Sequence, residues 1–447
     1  MNIYQTLKLL ALSKKFQSRN KWTHEELEQH RNKALDELRK YAYANSSFYQ
    51  KFHNGLFDAP LQELPVLTKA ELMKHWDEIV TDKSVRLADI QNFMLNLKEI
   101  KMFKNKYYVV STGGSSGLKG IFIYNPEEWM QVLLSYFRAN DWAGLKFGLT
   151  KKLKIAIVST TVPWHQSSVV GTTVKNPLVP TLRVDSIEPI ESKVARLNDF
   201  QPESLVAYVR EAKVLAKEQI AGNLNISPKV VFNSSEVLTN DVRNLINDAW
   251  GVQPFNVYAS TETAGIASEC TMHNLHMYED LVIIEVVDKD NKPVKPGEYG
   301  FKLLATVLFS RTLPLIRYEI SDSVRLSTRE CTCGLPFVLM EDIQGRAEEI
   351  IYLTGKSGNS IPVQPNFFHK ILERVPISGW QIVQEPDNSI KILVARPDDS
   401  FEKANLIKSM ADELEKLGVN KPFVKVELVE SFNRTAIGKT YLIKALR

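Results

Sequence analysis

The hydrophobic pattern changes twice along this chain of 447 residues. Up to about residue 90, apolar residues recur at helical spacing, and Thr68 with Glu71 is typical of a capping box before an amphipathic helix. From about residue 106, short apolar runs alternate with helical stretches and end in small or polar residues, as buried strands of an α/β sheet do. These runs are KYYVVS (106–111), IFIY (121–124), KIAIVS (154–159), SLVAYV (204–209), KVVFNS (229–234) and FNVYAS (255–260), with LVIIEVVD (281–288) and FKLLATV (301–307) in a β-rich stretch that follows.

After about residue 345, strand-like and helical segments form a compact α+β module, with helices predicted near 365–375 and 401–417. A chain of this length is too long for one compact core. The pattern therefore predicts an α/β protein with a large N-terminal domain, residues 1–345, and a small α+β C-terminal domain, residues 346–447. Within the large domain, residues 1–90 are a helical segment and residues 91–345 are the core.

Charge and cysteine content narrow the possible partners and location. The chain has 56 basic and 52 acidic residues, so its charge indicates neither a nucleic acid nor a membrane partner. The apolar stretch from Leu7 to Leu12 is interrupted by Lys8 and is shorter than the roughly 7–15 residues of a secretory signal. With three cysteines in the chain, a disulfide framework is not expected, and we predict a cytoplasmic protein.

The stretch STGGSSGLKG (111–120) combines glycines and hydroxyl side chains with one lysine. It is not a Walker A loop, because Leu118 separates Gly117 from Lys119 and Gly120 follows the lysine. Backbone N–H groups, hydroxyls and a cation together form a phosphate-binding loop, whereas the alternative is a flexible surface loop. The residues that would bind phosphate are Ser111, Thr112, Gly113, Gly114, Ser115, Ser116, Gly117 and Lys119.

This loop resembles the nucleotide loop of the adenylate-forming (ANL) superfamily, and four further segments resemble that family's motifs in the same order. They are NVYASTETAG (256–265), RYEISDSVRL (317–326), IQGRAEEII (343–351) and FNRTAIGKTYLIKALR (432–447). KYAYANSSFYQ (40–50) and LPVLTKAEL (64–72) resemble the phenylacetate-CoA ligase and CapK branch of the superfamily.

The resemblance implies an enzyme that activates a carboxylic acid with ATP as an acyl-adenylate, releases pyrophosphate and then transfers the acyl group to a thiol such as CoA. It implies a mobile C-terminal domain with its hinge at Glu348 and a catalytic lysine at Lys439. Thr261 would lie near the α-phosphate, and Glu262 would bind Mg²⁺ through oxygen. The other implied nucleotide contacts are Tyr258, Ala259, Ser260, Asp322, Arg325 and Arg346.

The sequence does not identify the acceptor of the activated group or the carboxylic acid that is activated. Residues 350–372 depart from the phenylacetate-CoA ligase pattern, so transfer of AMP to a hydroxyl of a deazaflavin-type coenzyme is an alternative to CoA. Two further alternatives concern the function as a whole. The protein could be a capsule-biosynthesis accessory of the CapK type, or a nucleotide-binding protein without ligase activity. The acid, aryl or arylacetic by analogy, should meet residues 160–165, 232–236 and 258–260.

Cys270, Cys331 and Cys333 lie within a short stretch of sequence, with His273 and His276 close to the first of them. Three thiolates and one imidazole complete a tetrahedral Zn²⁺ site, so the bound metal would be structural. The family resemblance favours His276 as the fourth ligand. The alternative is three reduced cysteines that do not meet. A homodimer is compatible with the sequence.

Overall fold

The computed structural model describes residues 3–112, 119–145, 152–176, 178–346, 349–372, 374–397, 399–430, 432 and 442–446. The predicted α/β class is confirmed. Its helices are α1 (Ile3–Arg19), α2 (His24–Asn45), α3 (Ser47–Phe52), α4 (Lys69–Lys74), α5 (Trp76–Ile79), α6 (Leu87–Leu95), α7 (Pro126–Trp142), α8 (Gln166–Thr173), α9 (Ile190–Phe200), α10 (Val209–Ile220), α11 (Asn240–Trp250), α12 (Pro365–Leu372) and α13 (Lys403–Lys416).

Each of the eight apolar runs predicted between residues 106 and 307 contains a strand, whereas several other strands were not predicted. The strands are β1 (Tyr108–Ser111), β2 (Ile121–Tyr124), β3 (Ile155–Ser159), β4 (Thr181–Asp185), β5 (Ser204–Tyr208), β6 (Val230–Ser234), β7 (Phe255–Ser260), β8 (Ala264–Glu269), β9 (Leu275–Met277), β10 (Val282–Val287), β11 (Lys302–Val307), β12 (Tyr318–Ile320), β13 (Asp322–Leu326), β14 (Leu339–Arg346), β15 (Ile351–Thr354), β16 (Ser360–Val363), β17 (Ile377–Gln384), β18 (Ile390–Pro397), β19 (Val424–Val429) and β20 (Ile443–Lys444).

The N-terminal helices are fastened to elements far along the chain. Thr68 caps α4 by accepting the Glu71 N–H at 3.2 Å, while the Glu71 carboxylate lies 3.5 Å from His75 Nε2. The preceding residue, Leu67, donates its N–H to the Arg317 carbonyl at 3.1 Å. The segment between α3 and α6 therefore packs as part of the large domain.

A buried carboxylate, Asp280, joins α1 and α7 to the β9–β10 connection. Arg138 of α7 binds both of its oxygens, at 2.6 and 2.7 Å, and Arg19 of α1 binds one at 2.7 Å. Burial alone would raise the pKa of Asp280, but the guanidinium groups of Arg138 and Arg19 outweigh burial and hold that pKa well below its usual range. Asp280 is thus ionised and paired inside the core.

A nine-stranded sheet in the order β13-β14-β9-β8-β7-β6-β5-β3-β4 dominates the large domain. Strands β4, β3, β5, β6 and β7 pair in parallel, so their carboxyl ends meet at one edge. Ala156, Leu205 and Val231 pack with α9, α10 and α11 on one face. On the opposite face, Phe232 and Val257 pack against Ala139 of α7.

Residues beyond β14 fold as a four-stranded sheet, β19-β18-β17-β20, with the β15–β16 hairpin, α12 and α13. Buried hydrophobic side chains between Ile351 and Ile443 form a cluster of their own. The division after residue 345 and the mobility of the second domain stay predictions. Across the described ranges, no helix has the length and apolar content needed to cross a membrane.

Candidate active site

A cavity of about 970 Å³ lies at the carboxyl edge of the parallel strands. Segments from all five of the predicted motifs line it, together with residues of α7 and α8. Those from the motifs include Thr112, Tyr258, Ala259, Ser260, Thr261, Glu262, Asp322 and Arg346. The fold therefore brings side chains from distant stretches of sequence to one place.

The tight turn between β7 and β8 carries Thr261 and Glu262. Ala264, at the start of β8, has a φ of +64°, a left-handed conformation that is uncommon for a residue with a Cβ. The Tyr124 hydroxyl lies 3.1 Å from the Thr261 carbonyl oxygen and 3.0 Å from the Glu262 carbonyl oxygen, and it donates to both. The backbone of this turn is thereby hydrogen-bonded to a side chain of β2.

The Glu262 carboxylate faces the Tyr318 hydroxyl, which donates to its Oε1 at 3.4 Å. Burial and, after it, the charge of Glu262 raise the pKa of Tyr318 well above its usual range, so the phenol is a donor. One long hydrogen bond leaves the carboxylate with most of its acceptor capacity. Glu262 therefore suits a hard cation such as Mg²⁺.

Asp322 is bound from two sides where β13 begins. Tyr258 donates its hydroxyl to Asp322 Oδ2 at 2.5 Å, and Arg346 Nε lies 3.7 Å from Asp322 Oδ1. Asp322 and Arg346 are direct partners in the β13–β14 pairing. Burial, followed by the Asp322 charge, raises the pKa of Tyr258 well above its usual range. The carboxylate keeps further lone pairs for ribose hydroxyls.

The described ends of the Gly-rich loop close its base. Thr112 and Gly120 exchange backbone and side-chain hydrogen bonds, at 2.9 Å from Thr112 N to Gly120 O and 2.8 Å from Gly120 N to Thr112 Oγ1. Ser111 is buried and Lys119 is exposed. Of the predicted site residues, those outside the described residues are Gly113, Gly114, Ser115, Ser116, Gly117, Glu348 and Lys439.

Arg325 does not line the cavity itself, although its ion-pair partner Glu341 does. Its Nε lies 3.2 Å from Glu341, and its guanidinium lies 4.7 Å above the Tyr299 ring. The predicted nucleotide contact of Arg325 stays a prediction.

The expected acid-binding segments are only partly at the cavity. His165, Phe232, Ser234, Ser235 and Glu236 line it, whereas Trp164 packs against the large hydrophobic core.

Sequence reasoning did not identify Tyr136 and Gln166. The Tyr136 hydroxyl donates to Gln166 Oε1 at 3.0 Å, and Gln166 Nε2 donates to the Thr261 carbonyl at 3.3 Å. The available signal was a polar residue at the start of a helix, directly after the predicted pocket segment 160–165.

The three cysteines and His276 come together between β8, β9 and the β13–β14 connection. Their ligand atoms all lie within 4.8 Å of one another. Cys270 Sγ is 3.8 Å from Cys331 Sγ, and Cys333 Sγ is 3.2 Å from His276 Nε2. His276 Nδ1 is 2.8 Å from the Phe337 carbonyl, which fixes its proton there and leaves Nε2 as the ligand atom. His273 instead faces Glu269, at 3.2 Å.

Comparisons with known proteins agree with this architecture, although no family model matches the chain. Protein CapK from Staphylococcus aureus is 27% identical over 432 residues, which cover 91% of this chain and 87% of CapK. A phenylacetate-coenzyme A ligase from Thermus thermophilus is 28% identical over 222 residues, 46% of this chain and 48% of the ligase. The solved structure of 2-hydroxyisobutyryl-CoA ligase in its postadenylation state superposes with a TM-score of 0.77, at 16% identity, and covers 96% of this chain and 91% of that one.

Proposed function

We propose that the chain, which has CapK and phenylacetate-CoA ligase among its homologues, is a member of the adenylate-forming (ANL) superfamily and activates a carboxylic acid with ATP as an acyl-adenylate. One observation carries this proposal. Tyr258, Glu262 and Asp322, which come from two separate motifs, line a single cavity at the carboxyl edge of the parallel strands. This edge is where open α/β sheets bind nucleotides.

In the proposed reaction, a carboxylate oxygen of the acid attacks the α-phosphorus of ATP, and the bond from that phosphorus to the pyrophosphate oxygen breaks. Negative charge builds on the α-phosphate oxygens in the transition state. Thr261 and Lys439 would contact these oxygens, whereas the Gly-rich loop and Lys119 would bind the departing pyrophosphate. Glu262 would hold Mg²⁺, which, when bound, neutralises phosphate charge.

Asp322 would orient the nucleotide rather than take part in bond making. Its oxygens accept hydrogen bonds, so they suit the two ribose hydroxyls, and Tyr258 and Arg346 keep the carboxylate in position. Asp322→Asn should raise the KM for ATP. A matched control is Asp82→Asn, because Asp82 also accepts a tyrosine hydroxyl, from Tyr107 at 2.6 Å, but lies outside the cavity lining.

The second half-reaction we propose is transfer of the acyl group from AMP to the thiol of CoA. The name of the Thermus thermophilus relative supports CoA as the acceptor. For this step the C-terminal domain would turn about Glu348, so that Lys439 serves the first half-reaction and leaves before the second. The cytoplasm is the location that we propose for this chemistry, in keeping with reduced cysteines.

The deciding experiment measures pyrophosphate release with phenylacetate, benzoate, 2-hydroxyisobutyrate and hexanoate, each with and without CoA. Acid-dependent release together with a CoA thioester supports both half-reactions. Pyrophosphate release without a thioester would contradict CoA as the acceptor. It would favour the alternative, in which AMP is transferred to a hydroxyl of a deazaflavin-type coenzyme. If none of the four acids stimulates release, the adenylation proposal is wrong.

We further infer that Cys270, His276, Cys331 and Cys333 hold a structural Zn²⁺. Three sulfur ligands and one imidazole nitrogen suit Zn²⁺ better than Mg²⁺ or Ca²⁺, which prefer oxygen. Four protein ligands leave no open position for substrate, so the metal would serve the fold. It would tie the β8–β9 turn to the β13–β14 connection, and in the sheet order β14, β9 and β8 lie between the strands that carry Asp322 and Tyr258, β13 and β7.

A further inference from the structure

Gln166, the first residue of α8, is a buried polar side chain on the cavity wall. It is 4% exposed, and it lies between Tyr136 of α7 and the backbone of the β7–β8 turn. Neither neighbour is a charged group. The side chain therefore connects the wall of the cavity with the turn that carries Thr261 and Glu262.

Its two hydrogen bonds fix the orientation of the amide. The Thr261 carbonyl can only accept, so Gln166 Nε2 must face it, and Oε1 then faces the Tyr136 hydroxyl. An amide nitrogen has two N–H groups, and the described part of the chain supplies a partner for one of them. The second N–H is a hydrogen-bond donor at the cavity.

The position of this donor follows from the chemistry on its two sides. Away from the turn, the cavity continues along an apolar face of the sheet, lined by Ile157, Val206 and Phe232. An acid's hydrocarbon body would bind there, whereas the α-phosphate would lie at Thr261. The reacting carboxylate must therefore lie between these two places, beside Gln166.

We propose that Gln166 is a substrate-binding residue whose second N–H donates to the carboxylate of the acid. The inference rests on the proposed adenylation. A neutral donor would orient the carboxylate towards the α-phosphorus and leave its negative charge in place. The attack requires that charge, because the charged oxygen is the nucleophile. The Tyr136 and Thr261 contacts hold the amide ready for this contact before the acid arrives.

Two variants remove the donor in different ways. Gln166→Leu removes both N–H groups, and Gln166→Glu keeps the shape and the acceptor for Tyr136 but turns an oxygen towards the substrate carboxylate. Tyr136→Phe is the matched control, because it removes one contact of the amide and leaves both N–H groups. Kinetics with phenylacetate, or the fastest acid among benzoate, 2-hydroxyisobutyrate and hexanoate, give separate KM values for acid and ATP.

Loss of a hydrogen bond to a charged group should raise the KM for the acid about 10- to 100-fold in both Gln166 variants. The KM for ATP and the calorimetric Kd for ATP alone should stay within about twofold of wild type, and Tyr136→Phe should change the acid KM less than either. Thermal unfolding shows whether each variant is folded. If Gln166→Leu is not folded, the comparison is made with Gln166→Glu.

An unchanged acid KM in a folded Gln166 variant would overturn the inference. So would equal rises in the KM values for acid and ATP, since these would mean that Gln166 acts only through the β7–β8 turn. Failure of the wild-type protein to release pyrophosphate with any acid is a separate result, seen before the variants are compared, and it would remove the proposed function together with this inference.

Discussion

Tyr124 fastens the β7–β8 turn from below, and its removal tests whether this turn positions Glu262. The hydroxyl is buried and lies 3.1 and 3.0 Å from the carbonyl oxygens of Thr261 and Glu262. Tyr124→Phe deletes this oxygen while the ring keeps its packing against Trp129, at 5.8 Å between centroids. After the change, the Thr261 carbonyl still accepts from Gln166, whereas the Glu262 carbonyl loses the hydroxyl donor.

The size of the effect follows from these contacts. A buried acceptor that loses its donor costs about 1–3 kcal/mol, so the free energy of unfolding should fall by that amount. The Glu262 backbone should also move, because the Tyr124 hydroxyl is the one side-chain donor on β2 and the variant lacks it. A displacement of about 1 Å at a reacting centre costs about 100-fold in rate, so we expect kcat to fall roughly 10- to 100-fold.

Tyr49→Phe provides the matched control. Tyr49 is as buried as Tyr124, and its hydroxyl donates to the Pro314 carbonyl at 2.9 Å and accepts the Ile316 N–H at 3.3 Å, both outside the cavity lining. Urea unfolding and acid-dependent pyrophosphate release are measured for both variants. Similar losses of stability with a fall in kcat for Tyr124→Phe alone support the reasoning. If Tyr124→Phe loses stability but keeps the kcat of wild type, the hydroxyl does not position the turn for catalysis.

Three further predictions concern other parts of the molecule. Burial, and after it the charge of Arg39, lowers the pKa of His53 to about 4. Between pH 6.5 and 4 the unfolded chain therefore binds a proton that the folded chain does not, and stability should fall by about 3 kcal/mol as the pH is lowered. His53→Gln should flatten this slope in urea titrations, and an unchanged slope would contradict the assignment. Elemental analysis should find about one zinc per chain in the wild-type protein and in His273→Ala but far less in Cys331→Ser or Cys333→Ser; a wild-type content far below this rules the site out. Lys439→Ala should abolish acid-dependent ATP–pyrophosphate exchange yet retain thiol transfer from a supplied acyl-adenylate, whereas equal loss of both argues against two working positions of the C-terminal domain.

Local patterns predicted much of the fold, because buried parallel strands leave continuous apolar runs in the sequence. Strand β4, with the sequence TLRVD, was not predicted, since Arg183 and Asp185 interrupt its apolar character. The sheet order was beyond local pattern altogether. Pairing of β9 with β14, for example, depends on which distant segments meet, and the hydrophobic pattern carries no record of that choice.

The candidate site likewise contains residues that the sequence predicted and residues that it did not. Motif resemblance identified Tyr258, Glu262 and Asp322, which the fold places at one cavity. The supporting residues Tyr124 and Gln166 were missed because their partners are reached through space. Tyr124 and Glu262 lie 138 residues apart, and no spacing rule relates them. A tyrosine in an apolar strand, or a glutamine at the start of a helix, has the same local pattern whether or not its polar atom supports a site.

The buried Asp280 also constrains how the protein is made. Arg19 and Asp280 are 261 residues apart in the chain, and at about 5–20 residues per second a ribosome adds that length in roughly 13–50 s. During this interval α1 has left the ribosome without the anion that neutralises Arg19 in the folded protein. Docking of α1 is therefore completed late, and we expect newly made chains to expose its apolar side chains, including Leu9 and Phe16, to chaperones until the β9–β10 connection emerges.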